Sequence, residues 1–226
     1  MSRDYGQYCG LARALDVVGD RWNLLIVREL LIGPARYGEL RDGLSGIATN
    51  LLTDRLRDLE TAGVVERRLS DGSAAITYAL TPWGAQLREA INALIRWSTP
   101  LMVRGPEGDE FRPEALLVAL PALFAGRMPT DQSAVVGIAV DGVMVQLCST
   151  ECGIDVDRPD GRELDAVLTA EGALVLGLAA GVLKLDAVVA LVDIDGDAAA
   201  LRAFFDAPKS PATQLGDRGE GSVRER

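Results

Sequence analysis

The segment that most constrains this chain is residues 36–62, where a short helical run, the turn Ser45-Gly46-Ile47-Ala48 and a longer helical run follow in succession. Two helices joined by a turn of three or four residues containing glycine form a helix-turn-helix pair. In the longer run, residues 49–62, Leu52, Leu56 and Leu59 fall at i, i+4 and i+7, which commits one face to a core. The opposite face carries Asn50, Thr53, Asp54, Arg57 and Thr61, polar side chains short enough to enter a groove.

The flanking sequence extends this unit. Gly63 closes the longer helix, and residues 64–69 and 75–80 read as two strands around Ser70-Asp71-Gly72, a strong hairpin signal in the position of a wing. Thr81 and Pro82 then supply an N-cap and a first helical position for a helix reaching about Ser98. Upstream, residues 9–18 repeat Leu11, Leu15 and Val18 near helical spacing, and residues 22–32 are apolar almost all round. Gly33 is expected to end the second of these helices in the left-handed conformation, just before Pro34.

With 226 residues the chain is too long for this module alone. Residues 1–98 form the expected first domain, and residues 99–111, rich in Pro, Gly and carboxylates, read as a linker. Residues 112–206 mix helical runs at 113–124, from 171 onward and at 197–205 with strand-like runs at 134–140, 143–148, 153–157 and 164–169. The fold class is therefore α+β. From residue 207 the sequence loses large apolar side chains and reads as a disordered tail. Asp193, Asp195 and Asp197 read as a solvated turn, because no closing Glu follows at calcium-loop spacing.

Composition excludes several classes of function. The chain has no histidine, so Ser-His-Asp and Cys-His catalysis and His-ligated zinc are impossible. No catalytic set, cofactor or metal is expected. Cys148 and Cys152 lack the two further ligands of a structural zinc site. No stretch reaches the roughly 20 apolar residues that span a bilayer, and no apolar segment follows a basic start, so a cytoplasmic protein without membrane contact is expected. The net charge of −10 falls wholly on residues 101–226, because residues 1–100 carry 12 Arg against 12 Asp and Glu. An acidic average thus leaves the first half free to meet phosphates.

The runs CGLARALDVVGDRW (residues 9–22), LLIVRELLIGPARYGELRDGLSGIATNLLTDRLRDLETAGVV (24–65) and YALTPWG (78–84) closely resemble the HxlR-type bacterial transcription regulators, a winged-helix family related to MarR. The resemblance implies a homodimer on a pseudo-palindromic double-stranded DNA operator, usually as a repressor, paired through the first and last helices of the module. It makes residues 49–62 the recognition helix and 67–78 the wing. Thr49, Asn50, Thr53 and Arg57 are then expected in the groove, with one of Arg67 and Arg68 at phosphate; plain solvent-facing strand residues are the alternative for that pair. Arg55, nearer the apolar face, is either an intramolecular partner or a phosphate contact. Members often carry Ser-Pro before the residue that is Asn50 here; this chain has Ala48-Thr49, so Thr49 is expected to take the N-cap. In some members a cysteine at the place of Cys9 senses oxidants or electrophiles; a buried small residue is the alternative.

The second half, over about residues 112–206, more faintly resembles the sterol carrier protein type two-like domains, with LVLGLAAGVLKLDAVVALVDIDGDAAALRAFF (174–205) in the order apolar helix, small-residue turn and Asp-Gly-Asp before a closing helix. That resemblance implies an apolar cavity for a small-molecule effector, with Leu117, Leu120, Phe124, Leu174, Leu176 and Leu178 as candidate lining; a plain packed core suits the same residues. The competing function is a lipid-binding or enzymatic protein that uses the winged helix only to dimerise.

Overall fold

A computed structural model describes residues 5–69, 75–102, 105, 107–129 and 133–208. The chain divides into two compact units between Leu94 and Ile95. The first begins with helices α1 (Gly10–Val18) and α2 (Asn23–Ile32), then a two-residue strand β1 (Ala35–Arg36) and helix α3 (Tyr37–Gly43). Helix α4 (Thr49–Thr61) follows, then strands β2 (Val65–Leu69) and β3 (Ile76–Leu80). Helix α5 (Pro82–Ala85) completes the series, with helix α6 (Leu87–Met102), which begins in this unit and runs past its boundary into the second.

The sheet of the first unit has the antiparallel order β1-β3-β2, with Val65 opposite Leu80 and Leu69 opposite Ile76. Its expected turn, Ser70-Asp71-Gly72, lies outside the described residues. The three-leucine stripe of α4 is buried to the last atom or nearly so, against a core that includes Ile26, Val27, Leu30, Leu40 and Leu44. This is a winged helix-turn-helix.

Four local features differ from the sequence reading. Ala48, without a capping side chain, holds the N-cap of α4, and Thr49 is the first helical residue. Gly33 ends α2 at φ 157° and ψ 169°, an extended conformation rather than the left-handed one, because the chain goes straight into β1. The helix expected from Pro82 to Ser98 is broken at Gln86 and runs on to Met102. Pro100 sits within α6, just after the hydroxyls of Ser98 and Thr99 bond back to the Ile95 carbonyl at 3.2 and 3.1 Å, back-bonds of the kind that bend helices.

In the second unit a 3₁₀ turn (Pro113–Ala115) leads into α7 (Leu116–Phe124), and strands β4 (Val135–Val140), β5 (Val143–Thr150), β6 (Gly153–Asp157) and β7 (Ala166–Thr169) follow. Helices α8 (Gly172–Ala180) and α9 (Leu185–Val188), strand β8 (Asp193–Gly196) and helix α10 (Ala198–Phe205) complete it. The sheet order is β6-β5-β4-β7-β8, with β4 and β7 parallel and every other pair antiparallel. Asp141 and Gly142, both at positive φ, make the two-residue turn that joins β4 to β5.

The alternating aspartates expected in a turn lie mainly on β8. Asp193 and Asp195 are exposed while Ile194 turns inward, and Asp197 caps α10 by accepting the Ala199 N–H at 2.8 Å. Lys209 and the rest of the expected tail lie outside the described residues.

Candidate nucleic-acid interface

Helix α4 presents its polar face outward. Thr49, Asn50, Thr53, Asp54, Arg57 and Thr61 are all exposed. The Arg57 side chain is 66% exposed and, among the described residues, pairs with Asp54 at 3.4 Å, a weak surface pair that leaves the guanidinium available. Because Ala48 provides no capping oxygen, the first-turn N–H groups of α4 have no side-chain cap and can face an anion.

Three contacts that the sequence does not reveal hold this helix. At its start, Tyr37 on α3 donates its hydroxyl to the Thr49 carbonyl at 2.7 Å, within 3.3 Å of Thr53 Oγ1. The Thr53 hydroxyl in turn donates to the same carbonyl at 3.0 Å, so its proton is already engaged. On one flank Arg55 pairs with Asp20 and with Asp58. On the other, Glu60 accepts from Arg67 of β2 at 2.8 Å, and the Arg67 guanidinium lies 5.7 Å from the centre of the Tyr78 ring. Of the alternatives left open for Arg55, the intramolecular partner is the one the structure supplies. Arg67 is braced against the helix, and Arg68 pairs with Glu66 beside it on the same strand.

The motif at the end of the hairpin has a physical reading as well. Thr81 donates its hydroxyl to the Gly63 carbonyl at 2.7 Å and accepts the Gly84 N–H at 3.0 Å, tying α5 to the turn after α4. Gly84 is buried against the Val64 carbonyl, where a Cβ has no room.

Cys9 precedes α1 and is exposed, not buried. No side-chain cap bond closes on the helix, yet the N–H groups of Ala12 and Leu11 draw the thiol below its ordinary pKa. A cavity of about 640 Å³ opens in this same unit, lined by Ala14, Val17 and Val18 of α1 together with Val64, Trp83 and Leu87. The residues expected to line a cavity in the second unit sit in one packed cluster. Leu120, Phe124 and Leu178 are fully buried there, and Leu117, Leu174 and Leu176 pack against them.

Among the described residues no group of three or more Cys, Asp or Glu is placed to hold a metal, and no helix is long and apolar enough to cross a membrane.

The HxlR-like helix-turn-helix family profile matches residues 17–105. Similar proteins include an uncharacterized HTH-type transcriptional regulator of Synechocystis, 34% identical over 39% of this chain and 67% of its own length. An uncharacterized HTH-type transcriptional regulator of Mycobacterium tuberculosis is 40% identical over 45% of this chain and 64% of its own length, so the match leaves out over a third of that relative. The regulator YvaP of Bacillus subtilis is 34% identical over 38% of this chain and 82% of its own length. With its helix-turn-helix, its wing and these matches all falling in the first part of the sequence, the chain belongs to the HxlR-like helix-turn-helix family.

Proposed function

We propose that this protein is a DNA-binding transcriptional regulator that grips a pseudo-palindromic operator as a homodimer and acts as a repressor. The observation that carries the reading is the exposed polar face of α4, with Asn50 and an available Arg57, on a helix braced on both flanks. Arginine reads guanine through two parallel hydrogen bonds, and asparagine reads adenine in the same way. Homodimerisation is supported by the apolar side chains that α1 and α6 leave in solvent: Leu11 and Leu15 on the first, Leu94, Trp97 and Leu101 on the second.

The test is a pair of substitutions measured on specific and random duplexes. Arg57→Ala is expected to relax base preference and to cost about 1–3 kcal/mol on the specific site. Arg68→Ala is expected to weaken all sequences alike and to lower the salt slope by about 1. Equal losses from both variants on both duplexes would remove α4 as the reading helix.

The second unit is proposed as a sterol-carrier-like domain that takes an apolar effector. The resemblance over about residues 112–206 and the mixed five-stranded sheet with its helices support this reading. Thermal-shift screening of long-chain lipids and sterols against the full chain is expected to find a stabilising ligand that changes DNA affinity. A ligand acts on DNA binding only through its different affinities for the two states. A screen in which no ligand both stabilises the chain and alters its DNA affinity would reduce this unit to a packed assembly module.

A further inference from the structure

The sequence GDRW at residues 19–22 belongs to none of the roles assigned so far. It forms the turn between α1 and α2, and the structure shows how firmly that turn is set. The Gly19 N–H bonds the Leu15 carbonyl at 2.9 Å, and a Cβ on Gly19 would run into that same carbonyl. Asn23, only 2% exposed, donates its side-chain amide to the Val17 carbonyl at 2.8 Å, and its backbone N–H bonds the Asp20 carbonyl at 3.1 Å. Asp20 is thereby held toward α4, where its carboxylate pairs with Arg55.

Arg55 is poorly disposed to serve DNA directly. Its side chain is 19% exposed, lies on the flank between the leucine stripe and the polar face, and is shared by two carboxylates, Asp20 and Asp58, the latter at 3.3 Å. Unlike Arg57, which is 66% exposed, this half-buried guanidinium is directed along the helix flank toward its two carboxylates rather than outward. The leucine stripe fixes how closely α4 approaches the core. Rotation and sliding of the helix are set by its flank contacts, and reading side chains must be held within roughly 0.5 Å of their working positions.

We propose that the Asp20–Arg55 pair is a positioning link through which the α1–α2 turn sets the pose of the recognition helix, so that whatever displaces α1 alters DNA affinity without touching DNA. The inference rests on the reading of α4 as the DNA-contacting helix. It deepens that reading by giving a path to α4 from α1, the helix with exposed Cys9 before its first turn and exposed Leu11 and Leu15 along its length.

The experiment is a double-mutant cycle in the full chain with Asp20→Asn, Arg55→Gln and the two combined, plus Arg55→Lys as the charge-keeping variant. Affinity is read by fluorescence anisotropy on a labelled duplex from upstream of the protein's own gene, over a salt series. Amide exchange across residues 49–61 is read in the free protein. Each single change is expected to weaken binding about fivefold, with the double variant no weaker than the poorer single one. Arg55→Lys should recover most of the loss, the salt slope should stay unchanged, and Asp20→Asn should speed exchange in α4.

Additive losses, wild-type affinity for Asp20→Asn, or a salt slope lowered by about 1 in Arg55→Gln would overturn the link, the last by marking a phosphate contact. Should the wild-type chain bind no duplex, the regulator reading fails by itself. The exchange measurement then decides the link: faster exchange in α4 supports it, and unchanged exchange overturns it.

Discussion

Replacing Arg127 by alanine should cost the second unit about 4 kcal/mol, since it strands two buried carbonyls at about 1–3 kcal/mol each. Arg127 is 4% exposed and donates to the Ala179 carbonyl at 2.6 Å and to the Phe205 carbonyl at 2.9 Å, at the ends of α8 and α10. Helix C-termini carry unsatisfied carbonyls and negative partial charge, so one cation here serves two helices at once. Its guanidinium also lies 5.4 Å from the centre of the Phe124 ring, so the substitution removes packing as well as charge. Burial lowers the pKa of this guanidinium, and nearby Asp206 opposes that shift. Arg127→Met, which keeps the apolar stem, should still lose most of the stability. Urea unfolding of the full chain followed by circular dichroism gives the measurement. An unchanged midpoint in both variants would mean that the carbonyls find other partners.

Gly84→Ala should destabilise the winged-helix unit by about 3 kcal/mol, near the upper end for an overpacked core position. The added Cβ meets the Val64 backbone carbonyl, which is itself bonded by the Thr81 N–H at 3.0 Å and cannot retreat without releasing α5. Gly38→Ala is the control. Gly38 lies inside α3 with nothing within 4 Å of a Cβ, so alanine there should stabilise by about 0.5–1 kcal/mol. Thermal unfolding of the two variants beside the wild type separates crowding from helix propensity. Equal shifts of the same sign would contradict the packing account of the TPWG sequence.

The contrast between these glycines shows what sequence can and cannot deliver. The helices of the first unit are legible because their leucines keep helical spacing, and the hairpin because β-prone runs flank Asp71-Gly72. Strand β1 is illegible because two residues carry no periodicity, and it exists only as an addition to β3. Strand β8 does alternate, but its outward residues are aspartates, and acid in a short run reads as a turn until Ile194 is seen opposite Leu168.

The polar face of α4 follows from the position of Leu52, Leu56 and Leu59 alone. The contacts that steady the helix do not, since Tyr37 reaches Thr49 across 12 residues and Arg55 reaches Asp20 across 35. Such pairs depend on how helices pack, which local spacing does not encode. Helical angle already separates Arg55 from Arg57 in the sequence, but the partners do not show there: Asp20 for Arg55 and Glu60 for Arg67, against a weak surface pair with Asp54 for Arg57.

In the proposed function a pair of chains reads one duplex through α4. The most direct measurement is anisotropy titration of the full chain against labelled DNA from upstream of its own gene and against random DNA of equal length, with stoichiometry and a salt series. Two chains per duplex, a preference of at least about 10³ for the specific duplex, and a log affinity that falls linearly with log salt are expected. Equal affinity for both duplexes, or binding by a single chain, would contradict the proposed function.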